Sequence, residues 1–182
     1  MTSDQGPNFS NVLAKHAASH ASDGFDPLVA GVLGLDVFAL QSQLLTGRNT
    51  SDYTHPQNNT TLANVPGLTV ALAASSVYLL FATFVYNSGA VPDFKFGFNG
   101  PAGYSGWQEF YGSTGGFSTQ QFSIATLGMI LDGTAADQPV FIRGQVVTTT
   151  AGDLQFQAAQ NTANASNTKV LANSSILAVK IA

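Results

Sequence analysis

The chain has 182 residues, a net charge of −4 and 9% charged residues, whereas a typical globular protein has about 25%. Its six Lys and Arg residues stand singly along the sequence and form no basic patch, so nucleic acid is excluded as a partner. The longest apolar runs, such as VYLLFATFVY, are far shorter than the roughly 20 residues of a membrane-spanning helix, so we expect no membrane insertion. The first residues, MTSDQGPNFS, have neither a basic flank nor an apolar run and predict synthesis in the cytoplasm without a secretory signal.

The first 45 residues predict an extended arm followed by a short helix. Residues 1–27 combine glycine, proline and small polar residues, a composition that cannot bury a core of its own. Residues 28–45 are predicted to be helical, because their apolar positions recur at spacings of three and four, as in a coiled-coil seam. These positions are Ala30, Leu33, Val37, Leu40 and Leu44. A helix of this length is marginal in water, so it either packs on its own domain or associates with copies of itself.

The rest of the chain predicts a polar linker and a β-domain. Residues 46–61, TGRNTSDYTHPQNNTT, are almost purely turn-forming and polar, which is typical of a linker. From residue 62 to 182, short apolar runs separated by Gly, Asn, Asp and Pro predict an all-β fold, an antiparallel β-sandwich or jelly roll. The predicted strands are Leu68–Leu72, Val77–Tyr86, Asp93–Phe98, Thr119–Leu131, Pro139–Thr149, Leu154–Ala159 and Ser175–Ile181, with a weaker one near Lys169–Leu171.

The predicted strand Val77–Tyr86 is apolar on both faces. One face carries Val77, Leu79, Phe81, Thr83 and Val85, and the other carries Tyr78, Leu80, Ala82, Phe84 and Tyr86. An antiparallel strand with one solvated face alternates between apolar and polar residues. We therefore expect one face to meet the core and the other to meet a neighbouring subunit. The subunit interface is assigned to Tyr78, Leu80, Phe84 and Tyr86. The alternative is that a long loop of the same chain covers the second face.

The sequence offers little catalytic chemistry. It has no cysteine, no G-x-S-x-G elbow, no H-E-x-x-H motif and no phosphate-binding loop, so we expect no enzymatic activity and no cofactor. A glycosidase-type carboxylate pair, Asp93 with Glu109, stays open as an alternative. His16 and His20 lie four residues apart and would share a helix face, where symmetry copies could complete a metal site. The simpler interpretation, which we adopt, is that these imidazoles are solvated or bonded to the backbone and hold no metal.

The stretch HAASHASDGFDPLV, residues 16–29, resembles the H-x-x-x-H-x-x-G-G-x-D-x-[IL] linker of tail-fibre and other virion proteins of tailed bacteriophages. It keeps His16, His20, Gly24, Asp26 and Leu28, and it departs from the pattern at Asp23, where the family commonly has glycine. The resemblance implies a connective segment in a virion. We accordingly expect His16, His20 and Asp26 to contribute to attachment to the particle.

The C-terminal part resembles a second pattern associated with bacteriophages. The matching segments are TLANVPGLTVALAASSVYLLFATFVY, FKFGFNGPAG, GDLQFQAAQN and VLANSSILAVKI. They are similar to small β-domains of phage structural proteins whose architecture is related to the trimeric jelly rolls of tumour necrosis factor and complement globular heads. This resemblance implies a homotrimer, and it offers a reason for a strand with two apolar faces.

Together these observations lead to the hypothesis of a non-enzymatic virion protein, made in the host cytoplasm. It would be a homotrimer, attached through its arm to other virion proteins, with the β-domain pointing outward to bind a receptor or host-surface glycan, as in a tail fibre. The alternative is a capsid decoration or head-spike protein that stabilises the head, and a carbohydrate-degrading virion enzyme is the third hypothesis. The candidate sugar-binding residues, which could stack on a sugar ring and bond its hydroxyls, are Tyr104, Trp107, Gln108, Glu109 and Tyr111. Alternatively, these aromatic residues cap the sandwich or fill the trimer interface.

Overall fold

A computed structural model describes residues 43–112, 122–124 and 128–182 of the chain. These residues belong to the unit Gln43–Ala182. The predicted arm, the predicted helix up to residue 42, and the attachment residues His16, His20 and Asp26 lie outside the described residues.

The described residues fold into two antiparallel β-sheets, which confirms the predicted all-β antiparallel fold. The larger sheet contains β1 (Leu44–Arg48), β2 (Tyr53–His55), β4 (Ser76–Ser88), β6 (Ser105–Gly112), β7 (Phe122–Ser123), β9 (Gln138–Thr148), β11 (Thr168–Val170) and β12 (Ser175–Lys180). Its main order is β1-β12-β4-β9-β6-β7, with β11 pairing to β4 and β2. The smaller sheet contains β3 (Ala63–Leu72), β5 (Phe94–Asn99), β8 (Met129–Leu131) and β10 (Gly152–Gln160), in the order β3-β10-β5-β8. In the part of the chain that the structure describes, no helix is long and apolar enough to cross a membrane.

An aromatic core lies between the two sheets. Alternate residues of β4 point into it, because successive side chains of a strand lie on opposite faces. The Phe84 ring lies 4.7 Å from the Phe156 ring, and the Tyr86 ring stacks on Phe94 at 4.5 Å between centroids. Rings from both sheets interlock in this way, and such contacts add to the gain from removing apolar surface from water.

The predicted linker over residues 46–61 is wrong, because part of this segment is folded into the larger sheet. Strand β1 pairs with β12 from Leu44 opposite Val179 to Arg48 opposite Ser175. A Cβ atom at Gly47 would lie 2.5 Å from the Thr69 carbonyl oxygen, so only glycine allows β3 to approach β1 this closely. The described domain therefore begins at β1, not at residue 62, and the predicted helix over 28–45 cannot include Leu44 and Leu45.

Two further strand predictions differ from the structure. Strand β6 was expected to be loop because of its glycines, yet it pairs along its whole length with β9. The predicted strand Thr119–Leu131 contains two short strands in different sheets, β7 beside β6 and β8 beside β5. The remaining predicted strands overlap β3, β4, β5, β9, β10, β11 and β12.

Candidate functional site

The outer face of the larger sheet carries an unusual number of apolar side chains. Leu79 is 36% exposed, Phe81 45%, Phe141 54% and Leu44 51%. Strand pairing places Val179 beside Leu79, and Leu177 beside Phe81. Val77 and Val147 are also cross-strand neighbours, and like Leu177 and Val179 they are half-buried. We call this surface, made of Leu44, Val77, Leu79, Phe81, Phe141, Val147, Leu177 and Val179, the outer apolar face.

The assignment of the subunit interface to Tyr78, Leu80, Phe84 and Tyr86 is wrong. All four side chains are buried in the core between the sheets. The Tyr86 hydroxyl donates a hydrogen bond to the Asp132 carbonyl at 2.7 Å, and the Tyr78 hydroxyl accepts one from the Ala73 amide at 2.8 Å. Each ring is thus fixed within its own domain, and the opposite face of β4 is the one left on the surface.

An ion pair lies beside the outer apolar face. Arg143 of β9 is the cross-strand neighbour of Glu109 on β6, and its Nε donates a hydrogen bond to the Glu109 carboxylate. This bond raises the pKa of the Arg143 guanidinium above its ordinary value. The guanidinium carbon also lies 5.6 Å from the centre of the Tyr111 ring, within cation–π range. Arg143 is also the cross-strand neighbour of Phe81, and Gln145 that of Leu79, so polar side chains lie among the apolar ones, between Phe141 and Val147 on β9.

The five candidate sugar-binding residues do not form one site. Gln108 is fully buried, and its Nε2 donates to the Ser123 carbonyl at 3.4 Å. The Tyr104 hydroxyl donates to the Phe98 carbonyl at 2.6 Å, and burial raises its pKa. Trp107, Glu109 and Tyr111 alternate with buried residues of β6 and lie on the outer side of the larger sheet. The alternative, that these aromatic residues cap the sandwich or fill the trimer interface, stays a prediction.

The far end of the same sheet is polar. Asn87 of β4 lies opposite Lys169 of β11, and its Nδ2 donates to Asp137 Oδ1 at 2.8 Å. Asp52 Oδ1 accepts a bond from the Ala172 amide at 2.9 Å. These residues border a groove of about 430 Å³, whose lining is Asp52, Asn87, Asp137, Asn167, Lys169 and Leu171. The outer side of β4 therefore changes from apolar to polar along its length.

The carboxylate pair considered for glycosidase chemistry serves other contacts. Asp93 has a positive φ of 50°, and its Oδ1 accepts a hydrogen bond from the Gly133 amide at 3.2 Å, as expected in a turn. Glu109 is bonded to Arg143. Among residues 43–112, 122–124 and 128–182, no group of three or more His, Cys, Asp or Glu could hold a metal ion.

Strand β5 and its neighbours form an outward groove that sequence patterns did not reveal. It lies on the smaller sheet, has a volume of about 670 Å³, and is lined by Thr61, Leu62, Lys95, Asn99, Gly128 and Gln157. Its residues come from separate parts of the sequence, so only the sheet order brings them together.

Comparisons with known proteins give no family. No protein-family model matches the chain. No curated protein matches it. Among solved structures, a mutant VP2 protein of infectious bursal disease virus in derived T=1 particles is similar with 11% identity and a TM-score of 0.22. The Gt and Gx strains of that virus give 11% and 7% identity, with TM-scores of 0.21 and 0.22. In each case the similarity covers 76% of this chain but only 40% to 42% of the viral chain. A similarity of this size establishes neither a shared fold nor a shared role.

Proposed function

We propose that this chain is a non-enzymatic structural protein of a bacteriophage particle. It assembles as a homotrimer through the outer apolar face, is attached to other virion proteins through its N-terminal segment, and presents the β-sandwich outward to bind a receptor or surface glycan. The observation that carries the proposal is the outer apolar face, because large apolar side chains gathered on one exposed side of a folded domain mark an interaction site.

The fold supports self-association through that face. Strand β4 lies inside the larger sheet, between β12 and β9, so its exposed leucine and phenylalanine cannot be covered by adding another strand to an edge. They need a partner that packs on the flat side of the sheet. Successive strands from β3 to β5, and again from β8 to β10, alternate between the two sheets, as in a jelly roll. The C-terminal segments resemble trimeric jelly-roll domains, which favours a second and third copy as that partner.

The place of the protein in a virion is supported by the sequence of the N-terminal segment. Residues 16–29 resemble a linker of tail-fibre and other virion proteins, through His16, His20, Gly24, Asp26 and Leu28. An image of the whole particle with the chain labelled tests this part of the proposal. Density at the tail supports a receptor-binding role, and density over the capsid surface supports the decoration role instead.

Light scattering on the purified full chain tests the assembly. We expect a mass three times the 18.9 kDa of one chain. Leu79→Glu places a charge in the middle of the outer apolar face, where burying it without a partner is costly, so this variant should be monomeric. Val91→Glu is the matched control, since Val91 is apolar and 64% exposed but lies in the β4–β5 loop. A wild-type monomer at micromolar concentration would contradict the proposal.

A further inference from the structure

The groove on the outer side of the smaller sheet has a floor made by strand β5. Lys95 and Asn99 alternate with the buried residues Phe96 and Phe98 and face outward, whereas Gly97 between them is buried. Gly97 lies opposite Gln157 of β10. Lys95 and Asn99 line the groove on either side of Gly97, and Gln157 lines it from the neighbouring strand.

Hydrogen bonds hold the polar groups of this groove in place. Gln157 Nε2 donates to Asn64 Oδ1 at 2.8 Å, and Asn64 Nδ2 donates to Gln155 Oε1 at 2.5 Å. Lys95 Nζ donates to the Thr60 carbonyl. A Cβ atom at Gly128 would lie 3.4 Å from Lys95 Cδ, so the lysine stem runs beside that glycine. The Gln157 amide and the Lys95 ammonium are thereby oriented before any ligand arrives.

The chemistry of the lining selects a class of ligand. Its polar groups are one hydroxyl, two amides and one ammonium, from Thr61, Asn99, Gln157 and Lys95, with no carboxylate among the lining residues. Amide and hydroxyl groups both donate and accept hydrogen bonds, which suits the hydroxyls of a sugar. An ammonium has three donors and no acceptor, so the two that Lys95 does not use on Thr60 suit a carboxylate.

We propose that this groove binds a carboxylated sugar of a surface glycan. Lys95 pairs with the sugar carboxylate, while Asn99, Gln157 and Thr61 bond its hydroxyls. The inference rests on the receptor-binding role in the proposed function and names its site and ligand class. The groove and the outer apolar face are on opposite outer sides of the sandwich. The groove therefore stays accessible when the larger sheet packs against other copies.

A histidine near the groove provides an internal probe of binding. Burial lowers the pKa of His55, the bond to the Asn59 carbonyl partly offsets this, and the positive charge of Lys95 makes a smaller lowering contribution. A carboxylate bound to Lys95 offsets that charge, so the pKa of His55 should rise when an acidic sugar occupies the groove. A neutral sugar should leave the pKa of His55 unchanged.

Titrations followed by NMR on the full-length protein test the proposal. The ligands are tri-galacturonic acid and its methyl ester, which has the same shape without the charges, together with sialyllactose and lactose as a second matched pair. We expect at least one acid to shift the resonances of Lys95, Asn99 and Gln157 and to raise the pKa of His55. The neutral partners should bind at least about ten-fold more weakly, as expected for the loss of a charge-assisted hydrogen bond.

Variants separate the groove from other parts of the protein. Lys95→Gln removes the cation, and Asn99→Asp keeps the shape of an exposed side chain but adds a repelling charge, so each should weaken acid binding by about ten-fold or more. Lys169→Gln on β11 of the larger sheet is the matched control and should bind as the wild type does. The inference would be overturned if neither acid bound. It would also be overturned if Lys95→Gln and Asn99→Asp bound the acids as tightly as the wild type does. If the acids do not bind but light scattering shows a trimer, only the assignment of the groove fails. If the acids bind to a protein that is monomeric, only the proposed trimer is refuted.

Discussion

At the residue scale, His55 links the stability of the domain to pH. Its side chain is buried at the end of β2, with Nε2 3.0 Å from the Asn59 carbonyl oxygen and Nδ1 3.3 Å from the Tyr53 hydroxyl. A carbonyl only accepts hydrogen bonds, so Nε2 carries the proton and Nδ1 accepts one from the tyrosine. The neutral ring satisfies both partners. Protonation of Nδ1 would bury a charge and require the Tyr53 hydroxyl to turn from donor to acceptor.

The free energy of unfolding should therefore fall as the pH drops below about 6.5. Because burial and, to a smaller extent, Lys95 lower the pKa of His55 in the folded protein below its ordinary value, the unfolded chain takes up this proton first. The contribution of His55 is complete above that pH and declines as the pH falls toward the folded pKa. Urea unfolding between about pH 5 and 8 at fixed protein concentration measures this slope.

The variant His55→Gln isolates this contribution from His16, His20 and the carboxylates. It should be less stable at pH 8 by about 1 to 3 kcal/mol, since it disturbs two buried hydrogen bonds. Its free energy of unfolding should change less with pH between about 5 and 6.5 than that of the wild type. Parallel pH curves for the two proteins would show that His55 does not titrate differently on folding.

At the element scale, β1 and β2 are integral to the sandwich although their sequence is that of a linker. Strand β1 covers the edge of β12, and β2 covers β11. Asn49, buried between these strands, donates from Nδ2 to the Leu171 carbonyl at 2.9 Å. The backbone of Asn49 also bonds to the segment before β12. Its amide donates to the Ser174 carbonyl, and its carbonyl accepts a hydrogen bond from the Asn173 amide.

A chain of residues 43–182 should consequently fold cooperatively, whereas one of residues 62–182 should not. The shorter chain exposes the β12 edge and loses the bonds of Asn49, and an uncovered edge with unpaired backbone groups promotes aggregation. Dispersion of amide resonances in NMR spectra and the sharpness of urea unfolding report the difference. An equal unfolding midpoint for both chains would mean that β1 and β2 merely lie on a domain that is complete without them.

The same elements show what the sequence could and could not predict. Strands such as β4 and β9 were predictable because runs rich in β-branched and aromatic residues are bounded by turn-forming residues. Strand β6 was hidden by Gly106, whose φ of 135° and close approach to the Gln145 carbonyl require glycine inside a strand, where the pattern suggested a turn. For β4 the pattern showed two apolar faces but could not tell which one faces the core. That choice depends on where β3, β5 and β10 pack, which is not local information.

The candidate sugar site failed for a related reason. Trp107 and Tyr111 were grouped with Gln108 because they are close in sequence, but a strand sends neighbouring residues to opposite faces. The residues of the groove around Lys95 are instead distant in sequence. They lie close together only because the strand order is β10-β5-β8. Functional surfaces built across strands are invisible to motif searches along the chain.

At the scale of the whole molecule, the two outer sides of the sandwich differ in chemistry. The larger sheet exposes several large apolar side chains, Leu44, Leu79, Phe81 and Phe141, while the smaller one exposes Ile130 next to Lys95 and the amides of the groove. A protein that functions as a monomer gains nothing from exposing Phe81 and Phe141 on the same side of a sheet, because apolar surface in water lowers solubility and promotes association. Burying this side between copies leaves the polar side for contact with a ligand.

If assembly buries the outer apolar face, folding and association are coupled, and the melting temperature must depend on protein concentration. A standard interface buries about 1,600 Å² in total, and interfaces of permanent assemblies bury more. We expect the melting temperature of the full chain to rise steadily over a hundred-fold increase in concentration. Because the face is apolar, added salt should weaken this dependence little, unlike that of an interface held by exposed ion pairs.

Phe141→Ser should abolish the concentration dependence, and Val91→Ser should retain it, since Val91 is outside the face. A melting temperature that is independent of concentration in the wild type would show that the domain is stable alone and that its apolar side meets a different partner.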